Sequence, residues 1–73
     1  MRIYEVRAIK RHNGQLLPDH QTVYVNTEDM QLAVSMANQV LNGTPETVDE
    51  GWIITDLYAV FDTHGQTVFG GTP

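Results

Sequence analysis

Seventy-three residues with no cysteine and a formal net charge of −5 bound the possibilities before any pattern is read. A chain of this size buries only about 60% of the surface its unfolded form exposes. Without thiols it has neither disulfides nor thiolate metal ligands to supplement its core, so close packing or self-association must hold it together.

The first strand is read over residues 2–11, where Tyr4, Val6 and Ala8 alternate with Ile3, Glu5, Arg7, Ile9 and Arg11. Asn13-Gly14 then marks a two-residue hairpin turn, because both positions tolerate positive φ. A turn that tight sets Tyr4 opposite Val23. Pro18 has no N–H to give a ladder, so the second strand is expected to be an edge, regular only over 21–25, with 16–20 as a loose arm.

Asn26 or Thr27 is placed to cap a helix, with Glu28 and Asp29 in its first turn. Met30, Ala33, Val34, Ala37, Val40 and Leu41 form one stripe at helical period, and Asn42-Gly43 ends it before Pro45. Leu32 falls off the stripe and is expected to be exposed, whereas Met36 flanks it. Residues 44–51 form an acidic loop carrying Glu46, Asp49 and Glu50.

The stretch WIITDLYAVF, residues 52–61, is apolar on both alternating rows and reads as the organising strand. Asp62-Thr63-His64-Gly65 is a turn, which makes 66–69 a hairpin partner with Phe69 opposite Tyr58. Residues 70–73 read as a tail. One α+β domain over residues 1–73 follows, with a four-stranded, antiparallel-rich sheet in ββαββ order. The arrangement is a split βαβ with strand order 2-1-3-4 and the helix on one face.

In that arrangement Tyr4, Val6, Ala8, Val23, Val25, Ile53, Leu57, Ala59, Phe61 and Val68 meet the helix. The other face holds Ile3, Glu5, Arg7, Ile9, Tyr24, Trp52, Ile54, Asp56, Tyr58, Val60 and Phe69, with no element left to cover it. A bare apolar face of that extent marks a binding surface, with Trp52, Ile54, Tyr58, Arg7 and Phe69 as its anchors.

Charge placement points the same way. All four basic residues, Arg2, Arg7, Lys10 and Arg11, lie in the first eleven positions, and the remainder holds eight acids and no Lys or Arg. Nucleic-acid binding needs more cationic groups than this, so RNA or single-strand binding on Trp52, Tyr58 and Phe69 is the weaker expectation. The acidic remainder instead suits a basic partner surface, with Glu46, Asp49 and Glu50 able to mimic nucleic acid.

Catalytic groupings are missing from the sequence. Ser35 is the one serine and lies on the polar helix face, and no Gly-rich loop is placed to cradle phosphate. His12 and His20 flank the first hairpin, where Glu46 or Glu50 could join them on a metal. His64 is expected about 25 Å away at the opposite edge. No metal, no cofactor and no enzymatic activity are expected.

The run Val23-Tyr24-Val25-Asn26-Thr27 leading into an acidic helix start, with Ala33 and Ala37 small on the helix stripe, resembles the small ββαββ accessory proteins of phages and mobile elements, among them anti-CRISPR inhibitors. The resemblance implies a non-catalytic module that binds a larger host or phage protein. A homodimer packed through two open faces, with Arg7 meeting Asp56 or Glu5 across a two-fold axis, is the alternative. No apolar run reaches the roughly 18 residues of a membrane span and the first ten residues hold no signal-like run, so a cytoplasmic protein without a membrane partner is expected.

Overall fold

A computed structural model describes residues 2–70, so the expected tail beyond Gly70 lies outside the described residues. Strands β1 (Arg2–His12) and β2 (Gln15–Thr27) form a hairpin, followed by helix α1 (Met30–Asn42), β3 (Gly51–Val60) and the two-residue β4 (Val68–Phe69). The fold is α+β, with one helix and a four-stranded mixed sheet. Its strand order is β3-β1-β2-β4, not the expected 2-1-3-4, because β4 does not turn back along β3. It crosses to the far edge and pairs with β2 in parallel, Tyr24 beside Val68 and Val25 beside Phe69. The local turn forms as read, with His64 and Gly65 at positive φ and Gln66 N–H donating to Thr63 O at 2.9 Å. A turn fixes the direction of the chain over four residues, and here it steers the connection rather than closing a hairpin.

Asn13 (φ 52°) and Gly14 (φ 75°) make the expected two-residue turn. Next to it, His12 pairs with Gln15 and Arg11 with Leu16, the register that turn dictates. Opposite Lys10, however, β2 spends Leu17, Pro18 and Asp19, so beyond this point Tyr4 faces Val25 rather than Val23. The slip amounts to two residues, an even number, which leaves every side chain on its expected face. It falls at Pro18, where the ladder has no amide to accept.

In β3 an odd slip does the reverse. Arg7 pairs with Asp56 and Ala8 with Ile54, leaving Thr55 as an unpaired bulge residue. From there toward its N-terminus, β3 has its faces exchanged. Ile54 packs against the core and Trp52 stands beside Lys10 on the helix side, whereas Ile53 joins Ile9 on the other face. The row of 52–61 that faces the helix therefore changes phase at Thr55, with Ile54 before it and Leu57 after it packed against the core.

The core consists of Tyr4, Val6, Val23, Val25, Ala33 and Ala37, with Met36, Leu41, Ile54 and Leu57 packed around it. Ala33 and Ala37 are fully buried and let the helix backbone approach the sheet closely. Met30 and Val40, at the margins of the stripe, are exposed, as is Leu32. The helix is capped by Asp29 rather than Asn26 or Thr27: Leu32 N–H donates to Asp29 Oδ1 at 2.9 Å. Thr27 is still paired with Arg2 in the sheet and is not free to cap.

At its other end the helix is tied to β3. Asn42 accepts from Trp52 N–H and donates to Trp52 C=O, both at 2.9 Å, and also donates to Asn38 Oδ1 at 3.2 Å. Gly51 precedes this contact at φ 108°, where a Cβ would press on Asn42 Oδ1. No helix among the described residues is long and apolar enough to cross a membrane.

Candidate functional site

The crossing of residues 61–67 from β3 to β4 changes the face opposite the helix. His64 and Gln66 from this connection line a hollow of about 760 Å³ with Glu5 and Arg7 of β1, His20 and Tyr24 of β2, and Thr55 and Asp56 of β3. That face is thus partly roofed by the chain itself. His64 and His20 share one hollow instead of lying at opposite edges, because the connection returns to the β2 side. Among the described residues, no three His, Asp or Glu side chains converge as a metal-binding group.

The floor of the hollow is polar and built in layers. Glu5 and Tyr24, on adjacent strands and directly paired, are only 8% and 6% exposed. Tyr24 Oη donates to Glu5 Oε1 at 2.8 Å, and Arg7 Nε donates to Glu5 Oε2 at 2.8 Å. The guanidinium stands 5.4 Å from the centroid of the Tyr58 ring. The Tyr24 hydrogen bond lowers the Glu5 pKa below its ordinary value; burial opposes this, and Arg7 adds to it. The reciprocal effect raises both Arg7 and Tyr24, in each case first through the hydrogen bond to Glu5.

Asp56 faces Arg7 across the β1–β3 ladder, yet its carboxylate turns to hydroxyls, accepting from Thr55 Oγ1 at 3.0 Å and Tyr58 Oη at 3.4 Å. Among the described residues, Arg7 spends one N–H on protein and leaves its two Nη amines unused.

A second hollow, of about 510 Å³, lies at the C-terminal end of β3 and is lined by Arg2, Ile3, Ala59, Val60 and Phe61. Phe61, expected in the core, is fully exposed (107%). The ladder ends at Val60, so alternation no longer fixes where the next side chain goes. Beside it runs the outer edge of β3, which pairs with β1 only.

The residues expected to bind are distributed over several surfaces. Arg7 and half-exposed Tyr58 meet on the face opposite the helix. Trp52 and Ile54 belong to the helix side, displaced there by the bulge, and Lys10 Nζ stands 5.0 Å from the centroid of the Trp52 ring. Phe69 pairs with Val25, on the helix side of the sheet, and not with Tyr58. Glu46, Asp49 and Glu50 are exposed in the loop before β3, where Glu50 Oε1 accepts from Gly14 N–H at 3.0 Å and ties the loop to the hairpin tip. Phe61 is the surface residue that the alternation misplaced; the signal for it was its position immediately before the turn-forming Asp62. Comparisons with protein-family models, curated proteins and solved structures find no match to this chain.

Proposed function

We propose that this chain is a non-catalytic protein–protein interaction module that docks through the end of β3, with Phe61 as its anchor and Ile3, Ala59 and Val60 around it. The observation that carries this reading is the fully exposed Phe61 beside an apolar hollow and an unpaired strand edge. Aromatic anchors dominate binding energy when a partner desolvates them, and a free edge offers backbone groups to an added strand. The partner surface is one with an aromatic-accepting groove, basic groups complementary to Asp62 and the net charge of −5, and an acceptor for Arg2 in the wall of the hollow. An inhibitor of a larger host or phage complex, which the pattern resemblance implies, is one form such a module takes.

A photoreactive phenylalanine at position 61, with a control at Gln39 on the exposed side of the helix, tests this reading directly. One discrete adduct from position 61 alone is expected, and it should identify the partner. The complex reconstituted with that partner should be lost in Phe61→Asp while the melting temperature of the isolated domain hardly changes. Survival of the complex in that variant would overturn the assignment. An adduct with a second copy of the chain, together with a dimer mass that Phe61→Asp abolishes, would make the partner the protein itself.

A further inference from the structure

We infer that the polar hollow opposite the helix is a binding site for a carboxylate, received by the guanidinium of Arg7. The inference is independent of the docking surface at Phe61, because it rests on the hydrogen-bonding inventory of a different part of the sheet. Every carboxylate oxygen facing the hollow from the strands already has a donor. Glu5 is held by Tyr24 and Arg7, and Asp56 by Thr55 and Tyr58. The donors are not similarly spent. Arg7 uses Nε alone, and the rings of His20 and His64 with the amide of Gln66 stand around the same space. A hollow with surplus donors fits a ligand that only accepts.

Arg7 is also organised for this role. Its Nε is held by a buried carboxylate and its guanidinium carbon stands 5.4 Å from the Tyr58 ring centroid, so the half-exposed group is tethered on one side and offers its two Nη amines as a fork on the other. That fork matches the two oxygens of a carboxylate, and ordering it in advance reduces the entropy lost on binding. The volume of about 760 Å³ lies within the range of small-molecule sites. The shared chemistry is a carboxylate, whether on a free small acid or on the C-terminus of a peptide.

The charged and polar groups facing the ligand are Glu5 and Arg7 from β1, His20 and Tyr24 from β2, Asp56 from β3, and His64 with its neighbour Asp62 from the connection. Glu5 and Asp56 already have donors, so the guanidinium is the group that receives the ligand.

The test is a titration of the ¹⁵N-labelled protein with sodium acetate, using sodium chloride at matched ionic strength as control. A saturable shift is expected at the Arg7 Nε–Hε signal and at the amides of Thr22 and Gln66. Arg7→Lys keeps the charge and loses the fork, and it should weaken binding at least about fivefold. Gln66→Ala removes a donor amide that lines the hollow from the connection and should weaken binding several-fold, which decides the matter should Arg7→Lys fail to fold. Acetyl-trialanine with a free carboxylate and its C-terminal amide separate the sources. Tighter binding of the free-acid peptide than of acetate assigns the site to a chain end, and equal binding assigns it to small acids. Shifts reproduced by chloride, meaning an adventitious ion only, or an unchanged affinity in Arg7→Lys, would overturn the inference, as would an unchanged affinity in Gln66→Ala.

Discussion

Glu5 is the residue whose environment departs furthest from what its type suggests. A carboxylate this buried is costly unless paired, and the two oxygens divide that task between a phenol and a guanidinium. Its pKa is lowered in the fold, with the Tyr24 hydrogen bond as the first cause. A carboxyl with a depressed folded pKa contributes stability that is present above its unfolded value, here 4.5, and lost as pH falls through the folded value. Tyr24→Phe removes the largest lowering influence and leaves burial, so the Glu5 pKa should rise. Melting curves from neutral pH downward should show the variant starting at a lower melting temperature and losing less on acidification below the unfolded value. An acid slope identical to that of the native protein would mean that Glu5 is held by Arg7 alone. The Glu5–Arg7–Tyr24 group was legible in part: alternation sets all three on one face, but not that Glu5 and Tyr24 are buried beneath an exposed Arg7.

At the scale of the element, the helix was the most legible part of the chain. Its stripe and Gly43 cap are local, and a 3.6-residue period cannot be mistaken over thirteen residues. The sheet was less so, because a strand's two faces are told apart by parity, and parity fails at a bulge. Residues 52–61 read as apolar on both sides, although the strand packs Ile54 on one side of Thr55 and Leu57 on the other against the core, while Ala59, expected there, is exposed. Nothing in Ile-Thr-Asp announces the extra residue; only pairing with Arg7 and Ala8 reveals it. The bulge yields an unusual expectation. Deleting Thr55 removes the unpaired residue and lets Ile54 and Asp56 alternate normally, so the variant should fold with Trp52 emission unchanged. Deleting Ile54 instead brings Thr55 opposite Ala8 and inserts a hydroxyl into the core, and it should lower stability by about 1–3 kcal/mol in chemical denaturation.

For the whole molecule, the two crossovers decide the outcome. The first, β2 to β3 through the helix, passes over β1 on one side. The second, β3 to β4 through 61–67, returns on the other side in the opposite direction. Reversing both face and direction preserves handedness, so the two parallel connections share one hand. A short turn after β3 looked like a hairpin because sequence alone ranks the nearest partner first, whereas β4 reaches a strand more than forty residues away. The helix tolerates no bulk where it crosses the sheet, since Ala33 and Ala37 are fully buried. Ala37→Leu should therefore cost about 1–3 kcal/mol by equilibrium unfolding, a larger effect than Leu32→Ala on the exposed side. A variant as stable as the native protein would mean that the helix rides above the sheet rather than on it.

The connection that partly roofs the polar hollow ends in a strand held by only two register pairs, Tyr24 with Val68 and Val25 with Phe69. Such an element forfeits little by leaving its own sheet for the same position in another copy. Two molecules that traded β4 would keep every native pairing, with Phe61 and Asp62 at the hinge between them. A fold completed by its least anchored strand is therefore expected to give some entangled dimer when refolded at high concentration, read as a second mass by light scattering.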